Sequence, residues 1–116
     1  IKTCVTVVLC LATSLALAQA EPDEQARKAL AQADYARVIA LYGPAIAAGR
    51  NLSDMEHYRL SIAQQKAGDS VAAWKHLRAA LELNAAGTFA SSASRLSDHR
   101  ASILAGCEKL NVPGCE

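Results

Sequence analysis

Aromatic residues are scarce in this sequence, which contains one Trp, one Phe and three Tyr among 116 residues. Its apolar residues are mostly Ala and Leu, which favour helices, whereas the β-branched and aromatic residues that favour strands are few. This composition predicts an all-α fold and argues against an all-β one. A hydrophobic content of 52% with only 20% charged residues is typical of a folded chain, and the length corresponds to one domain.

An excess of charge of either sign is also missing, because 12 Lys and Arg balance 11 Asp and Glu. Strong electrostatic binding to nucleic acid or to an anionic membrane surface requires a marked basic excess, so we expect neither as a partner. Toward the C-terminus, basic side chains are interleaved with acidic ones, which predicts a mixed, solvated surface. The basic residues are Lys75, Arg78, Arg95 and Arg100, and the acidic residues are Glu82, Asp98 and Glu108.

Motifs for catalysis are absent from the sequence as well. It has no glycine-rich phosphate loop, no G-x-S-x-G and no H-E-x-x-H. Ser97, Asp98 and His99 supply the residue types of a hydrolase triad, but adjacent residues of a helix point about 100° apart and cannot converge as a triad does. We therefore expect no enzymatic activity and no cofactor.

The first 20 residues have the pattern of a secretory signal peptide. Lys2 precedes an apolar run over residues 5–18, and residues 18–20 (Ala-Gln-Ala) form a cleavage site directly before an acidic stretch. The alternative is a membrane anchor, but a spanning helix needs about 20 apolar residues, and this run is shorter and contains Thr and Ser. We therefore predict a signal peptide over residues 1–20, a mature domain over residues 21–116 and a periplasmic or secreted location, with membrane contact only during export.

Removal of the signal peptide leaves two cysteines, Cys107 and Cys115. A redox pair usually has two residues between its cysteines, and a zinc site needs closer spacing and further ligands. An exported protein with two cysteines generally pairs them, and Pro113 and Gly114 between these two allow the chain to double back. We therefore predict a structural disulfide in the C-terminal tail, which adds about 2–3 kcal/mol to the free energy of unfolding.

Apolar residues recur at three- and four-residue steps through most of the mature chain and predict a series of helices. Ser53 and Glu56 form a capping box at the start of one helix, and Gly68 and Asp69 form the turn that follows it. Pro44 is expected to kink or split the helix that contains it. The predicted helices cover residues 24–33, 35–48, 54–67, 70–83 and about 89–110, with Ser97 as an alternative start for the last.

The three histidines lack the spacing of a metal site. His57 and His76 fall on neighbouring predicted helices, where their rings can meet, whereas His99 lies farther along the chain. Half-buried histidines with a structural role are much commoner than two-ligand metal sites. We therefore expect no bound metal.

The segment over residues 54–87 has a pattern of small and apolar residues spread over two helices. Leu60 lies in its first helix, and Ala73, Leu77 and Ala80 lie in its second, where small side chains let two antiparallel helices approach closely. With its length of 34 residues, this segment resembles a tetratricopeptide repeat. It departs from the usual repeat at three positions, where it has Ser61, Gln64 and Ala85.

Residues 21–52 repeat this pattern weakly, and residues 88–116 keep helical character without the motif. The resemblance to tetratricopeptide-repeat proteins therefore implies an all-α domain with one weak repeat, one clear repeat and a C-terminal capping helix. Members of this family act as scaffolds or adaptors, so the resemblance implies a module that binds a protein or peptide without catalysis of its own. The alternative is a structural or assembly module of the cell envelope that self-associates into a homo-oligomer, because a short solenoid has exposed ends.

In this family the first helices of successive repeats line a concave binding face, which here implies the helices at residues 24–33 and 54–67. The residues on this stripe are Arg27, Leu30, Met55, Tyr58, Ile62, Gln65 and Lys66. Tyr58 offers a flat apolar ring with a polar tip, and Arg27 and Lys66 are placed to hold an acidic or C-terminal carboxylate group. The alternative is that Met55 and Ile62 pack against the preceding repeat instead of a partner.

Overall fold

The computed structural model describes residues 22–111 and 113–115, which include five helices and no strand. The helices are α1 (Pro22–Ala31), α2 (Tyr35–Ala47), α3 (Asp54–Lys66), α4 (Ser70–Leu83) and α5 (Ala93–Leu110). The predicted all-α fold is therefore confirmed. In this described part of the chain, no helix has the length and apolar character needed to cross a membrane. The predicted signal peptide at residues 1–20 lies outside the described residues.

Four of the helices begin at a residue whose side-chain oxygen caps the first turn. Each oxygen accepts a hydrogen bond from the backbone N–H three residues farther on, which satisfies a donor that has no partner within the helix. The predicted capping box is present, since Ser53 caps α3 while the Glu56 carboxylate accepts a bond from the Ser53 N–H at 2.9 Å. The capping residues of α2 to α5 are Asp34, Ser53, Asp69 and Ser92.

The boundaries predicted for α4 are confirmed, because Gly68 and Asp69 form the turn that separates it from α3. Gly68 has a φ of +91°, a left-handed conformation that suits glycine, and the Asp69 side chain accepts a hydrogen bond from the N–H of Ala72. This turn lets α3 and α4 lie side by side in an antiparallel hairpin.

The start predicted for the last helix is wrong. α5 begins at Ala93, behind the Ser92 cap, and not near Phe89 or at Ser97. Phe89 lies in the preceding loop with its ring buried in the core. Burial of this ring fixes the loop against α3 and α4, so the chain starts a new helix only after it.

Pro44 does not split its helix, because α2 continues from Tyr35 to Ala47. The proline lies in the last turn, where its missing N–H removes only one hydrogen bond of the helix. The first hairpin, whose sequence matches the repeat pattern only weakly, is therefore built from two continuous helices, α1 and α2.

The helices pack around two apolar clusters. The N-terminal cluster joins α1, α2 and α3, and the C-terminal cluster joins α3, α4, α5 and the loop before α5. In addition to contacts between consecutive helices, α1 contacts α3 and α3 contacts α5. α3 is therefore the central helix that connects the two clusters. The largest fully buried apolar side chains are Val38, Tyr42 and Leu60 in the N-terminal cluster and Leu77 and Ile103 in the C-terminal cluster.

Gly106 marks a close approach of α5 to α4. A Cβ atom added to this glycine would overlap the Ser70 hydroxyl and would lie 3.2 Å from Gln65 Nε2. Ser70 Oγ donates to Gln65 Oε1 at 2.8 Å, and Gln65 Nε2 donates to the Ser102 carbonyl at 3.1 Å. The missing side chain of Gly106 therefore leaves room for hydrogen bonds that join α3, α4 and α5.

We expect Gly106→Ala to lower the free energy of unfolding by about 1–3 kcal/mol, because the added methyl group must displace Ser70 and its hydrogen bonds. This loss should exceed the gain of about 1 kcal/mol that alanine brings within a helix. Gly43→Ala is the matched control, since Gly43 is also helical but has nothing within 4 Å of an added Cβ. Chemical denaturation measures both variants, and a Gly106→Ala protein as stable as the Gly43→Ala protein would contradict this account of the packing.

The C-terminal tail is closed by a disulfide between Cys107 and Cys115, as predicted from the sequence. Their Cα atoms are 6.3 Å apart, and Cys107 is buried in the C-terminal cluster. Asn111 ends α5 with a left-handed φ of +52°, and the chain then turns so that Gly114 approaches Val71 of α4. The disulfide therefore anchors the tail to the helical core.

Candidate peptide-binding groove

An open groove runs along α4 beside α5. Its apolar floor is formed by Trp74 and Leu81 of α4 and by Leu96 of α5. The part between α4, the following loop and the start of α5 has a volume of about 540 Å³. Further parts extend past Trp74 as far as Gly114 in the tail. We refer to this surface as the α4–α5 groove.

The α4–α5 groove is lined by three basic side chains, Lys75, Arg78 and Arg100. Among the described residues, Glu82 is the one acidic side chain in this lining. The sequence predicted a mixed, solvated surface, and the groove does contain exposed residues of both signs. Folding brings three of the four basic residues to it and one of the three acidic ones, so basic side chains are in excess in this lining.

Trp74 and Arg100 connect α4 and α5 within the groove. The Arg100 guanidinium carbon lies 5.6 Å from the centre of the Trp74 ring, a distance at which a cation–π interaction stabilises the pair. Only 5% of Trp74 is exposed, whereas Arg100 is an exposed residue. The buried ring therefore holds a surface cation next to the apolar floor.

Tyr58, which the sequence placed at the centre of the binding stripe, is a core residue. Its ring centre lies 4.8 Å from that of Phe89 and 5.6 Å from that of His99, and only 9% of the residue is exposed. The prediction that Tyr58 presents an open apolar surface to a partner is therefore wrong. The physical reason is that α5 and the loop before it fold over this side of α3 and bury the ring.

Ile62 and Gln65 of the same stripe also contact the C-terminal part of the chain. Ile62 packs against the C-terminal cluster, and Gln65 Nε2 donates to the Ser102 carbonyl. The alternative prediction, packing against the preceding repeat, is therefore wrong for Ile62, whose cluster is built from α3, α4 and α5. Met55 is 38% exposed and remains available at the surface.

The remaining three residues of the predicted stripe lie on α1 and at the end of α3. Arg27 is exposed and forms a salt bridge with Glu24 of the same helix at 2.9 Å. Leu30 packs against the N-terminal cluster, and Lys66 is exposed in the last turn of α3. A joint role of Arg27 and Lys66 in holding a carboxylate stays a prediction.

Glu56 is a buried carboxylate at the start of α3. It is 6% exposed and accepts hydrogen bonds from Arg50 at 2.8 Å and from the Ser53 N–H. Burial alone would raise the pKa of Glu56, but the bonds from Ser53, a hydrogen bond with Asp23 and the charge of Arg50 lower it overall. Nearby, the Tyr42 hydroxyl donates to Asp23 of α1 at 3.4 Å. These polar groups connect α1, α2 and the start of α3.

Ser61 and His99 form a polar pair that the sequence analysis missed. Ser61 Oγ donates to the Ala73 carbonyl at 2.7 Å, so His99 Nε2, which lies 2.9 Å from Ser61 Oγ, donates its proton to that hydroxyl. Ser61 is fully buried and its proton already has an acceptor, so the pair lacks an accessible nucleophile. The departure of Ser61 from the repeat pattern was the one signal of this contact in the sequence.

Acid is expected to destabilise the protein through His99. Burial first, and then the charge of Lys66, lowers the pKa of His99 from the usual 6.5 to about 4. The unfolded chain therefore takes up a proton near pH 6.5 that the folded chain takes up only near pH 4. The resulting stability is complete above pH 6.5, falls progressively as the pH falls from 6.5 toward 4, and is lost below 4. Burial also lowers the pKa of His76 to about 4, which acts in the same direction.

Thermal melts from about pH 7.5 to about pH 4.5 test this dependence, and we expect the melting temperature to fall by several degrees. His99→Gln should show a shallower fall, because its amide still donates to Ser61 but does not titrate. Equal pH dependence in the wild type and in His99→Gln would show that this ring does not contribute.

No family model matches this chain, and neither a curated protein nor a solved structure matches it. Membership of the tetratricopeptide-repeat family therefore stays a prediction that depends on the residue pattern over residues 54–87.

Proposed function

We propose that this chain is an exported helical-repeat module that binds an acidic, partly apolar segment of another protein in the α4–α5 groove and has no catalytic activity. The observation that carries the proposal is the convergence of Lys75, Arg78 and Arg100 around an apolar floor. In the sequence these residues hint at a basic surface, but they fall on two helices and are interleaved with acidic ones, which favoured a mixed surface.

The chemistry of the groove defines the segment that it binds. Leu81 and Leu96, which are half-buried, supply an apolar surface that gains free energy when leucine-like side chains cover it. The basic rim attracts Asp and Glu and disfavours Lys and Arg, which gives specificity more than affinity. Arg100 combines both features, because its cation lies over the Trp74 ring. An acidic segment with apolar residues at regular steps fits both the floor and the rim.

Other features of the chain support the architecture and the compartment in this proposal. Residues 54–87 carry the pattern of a tetratricopeptide repeat, and contacts of α3 with both α1 and α5 suit a stack of helical hairpins. The disulfide between Cys107 and Cys115 suits an oxidising compartment, as does the signal-peptide pattern over residues 1–20. Export to the periplasm or beyond the cell is accordingly part of the proposal.

The fluorescence of Trp74 tests the proposal directly, because this is the single tryptophan of the chain and it lies in the groove. A peptide in which leucine alternates with glutamate should change the emission of Trp74, and the change should reach a plateau as the peptide concentration rises. Added salt should weaken the binding of this peptide. A peptide of the same length with lysine in place of glutamate is the matched control and should bind at least about tenfold more weakly. Equal binding of the two peptides, or no binding of either, would contradict the proposal.

Sedimentation measurements of the same samples address the alternative function. A module that self-associates forms dimers or larger species as its concentration rises, without any peptide. We expect the chain to stay monomeric at low micromolar concentration. A stable dimer that fails to bind the acidic peptide would favour an assembly role instead.

A further inference from the structure

The rings of His57 on α3 and His76 on α4 meet, as their positions on neighbouring predicted helices allowed. Their Nδ1 atoms are 2.9 Å apart and their ring centres are 5.2 Å apart. A neutral imidazole has one nitrogen that donates and one that accepts. One Nδ1 therefore donates to the other, and the two rings carry opposite tautomers.

Burial disfavours the charged form of both rings. Burial lowers the pKa of His57, although the charge of Glu56 partly opposes this effect. The pKa of His76 is lowered to about 4, mainly by burial and further by the charges of His57 and Lys75. Uncharged imidazole nitrogens are ligands that Zn²⁺, Cu²⁺ and Ni²⁺ accept readily. Because the two rings are only half-buried, water and ions can reach them.

We propose that His57 and His76 together bind a divalent transition-metal ion, with Cu²⁺ preferred over Zn²⁺. Two imidazole nitrogens bound at right angles, each about 2.0 Å from the ion, are about 2.9 Å apart. The two Nδ1 atoms are already this far apart, so chelation requires the rings to turn until both lone pairs point to the ion and not to each other. A tetrahedral Zn²⁺ needs a separation of about 3.3 Å and therefore also a small movement of the two rings apart. The order of divalent-metal affinities also places Cu²⁺ above Zn²⁺.

Binding of the ion does not require a net loss of protons. The ring that donates through Nδ1 in the hydrogen bond moves this proton to its own Nε2 through solvent. Both Nδ1 lone pairs then become available, and each forms one bond to the ion while the Nδ1···Nδ1 hydrogen bond is broken. The ring that accepted already has its proton on Nε2 and keeps it.

The His57 side of the pair leaves space for the other ligands of the ion. A cleft of about 490 Å³ is lined there by His57, but not by His76, together with Arg50, Leu52 and Glu82. Over residues 22–111 and 113–115, no three His, Cys, Asp or Glu side chains converge as a complete metal site. The ion therefore has two protein ligands, and its other positions are open to water or to a group from a binding partner.

Titration of the oxidised full chain with CuCl₂ near pH 7, in a buffer that does not chelate copper, tests this site. Calorimetry should show one saturable site, and electron paramagnetic resonance should show coupling to two nitrogen nuclei. His57→Gln and His76→Gln should each weaken binding by about tenfold or more. Each glutamine can still form a hydrogen bond to the remaining ring, and a thermal melt without metal confirms that each variant is folded.

His99→Gln is the matched control, because it also removes one histidine but leaves the pair intact. It should bind Cu²⁺ as the wild type does. A measurement on the wild type alone gives an independent check, since bound Cu²⁺ should broaden the proton resonances of the His57 and His76 rings before those of His99. Absence of saturable binding, or equal broadening of all three rings, would overturn the proposal, as would variants of the pair that bind like the wild type.

Discussion

Tyr58→Ala is expected to lower the free energy of unfolding by about 3–5 kcal/mol, because it removes a buried aromatic ring and leaves a cavity between α3 and α5. The ring contacts Phe89 and His99, and both contacts are lost together. In a domain of this size, such a loss lowers the melting temperature by about 15 °C or more. Thermal and chemical denaturation of the oxidised chain measure the effect.

Two control variants separate this packing role from a binding role. Tyr58→Phe keeps the ring and should change stability by less than about 1.5 kcal/mol. Met55→Ala changes an exposed residue on the same helix and should have a similarly small effect. If Tyr58→Ala instead leaves the melting temperature unchanged and abolishes partner capture, the ring belongs to a binding surface and the described burial is wrong.

Arg100→Glu is expected to weaken binding of the acidic peptide by about tenfold or more, because it replaces an attracting charge in the groove with a repelling one. It also removes the cation–π contact with Trp74, which costs about 0.5–1 kcal/mol of stability. The fold should therefore persist while binding fails. Fluorescence titration of Trp74 measures the affinity, and a thermal melt measures the stability.

Arg95→Glu makes the same change of charge on the same helix, outside the described lining of the groove. The affinity of the Arg95→Glu variant for the acidic peptide should stay within about twofold of the wild-type affinity at moderate salt. This comparison distinguishes a local contact from the effect of net charge. Equal losses in Arg95→Glu and Arg100→Glu would mean that the peptide responds to overall charge and not to the α4–α5 groove.

Local signals in the sequence were sufficient to predict α3 and α4. α3 begins at the capping box of Ser53 and Glu56, and the turn before α4 contains Gly68 and the capping residue Asp69. Each of these signals lies within one turn of the chain, so it can be recognised without knowledge of the tertiary structure. The start of α5 could not be predicted in this way. Several serines over residues 91–97 are suitable caps, and burial of Phe89 in the preceding loop selects Ser92.

The candidate sites depend on contacts between distant parts of the chain. Helical periodicity correctly placed Tyr58 on a stripe with its neighbours, but it contains no information about which element covers that stripe. The basic residues of the groove were expected on a mixed surface, because Arg78 and Arg100 line the same part of the groove only when α4 packs against α5. Contact between His57 and His76 was foreseeable, since the antiparallel pairing of α3 and α4 was itself predicted.

Nuclear magnetic resonance mapping shows directly where on the chain the acidic peptide binds. Amide and indole resonances of the chain are followed while the peptide is added, so every surface is observed in one experiment. We expect the largest shifts along the α4–α5 groove, at the Trp74 indole and at the amides of Leu81 and Leu96. Shifts concentrated at Arg27, Met55 and Lys66, on the stripe of α1 and α3, would contradict this expectation.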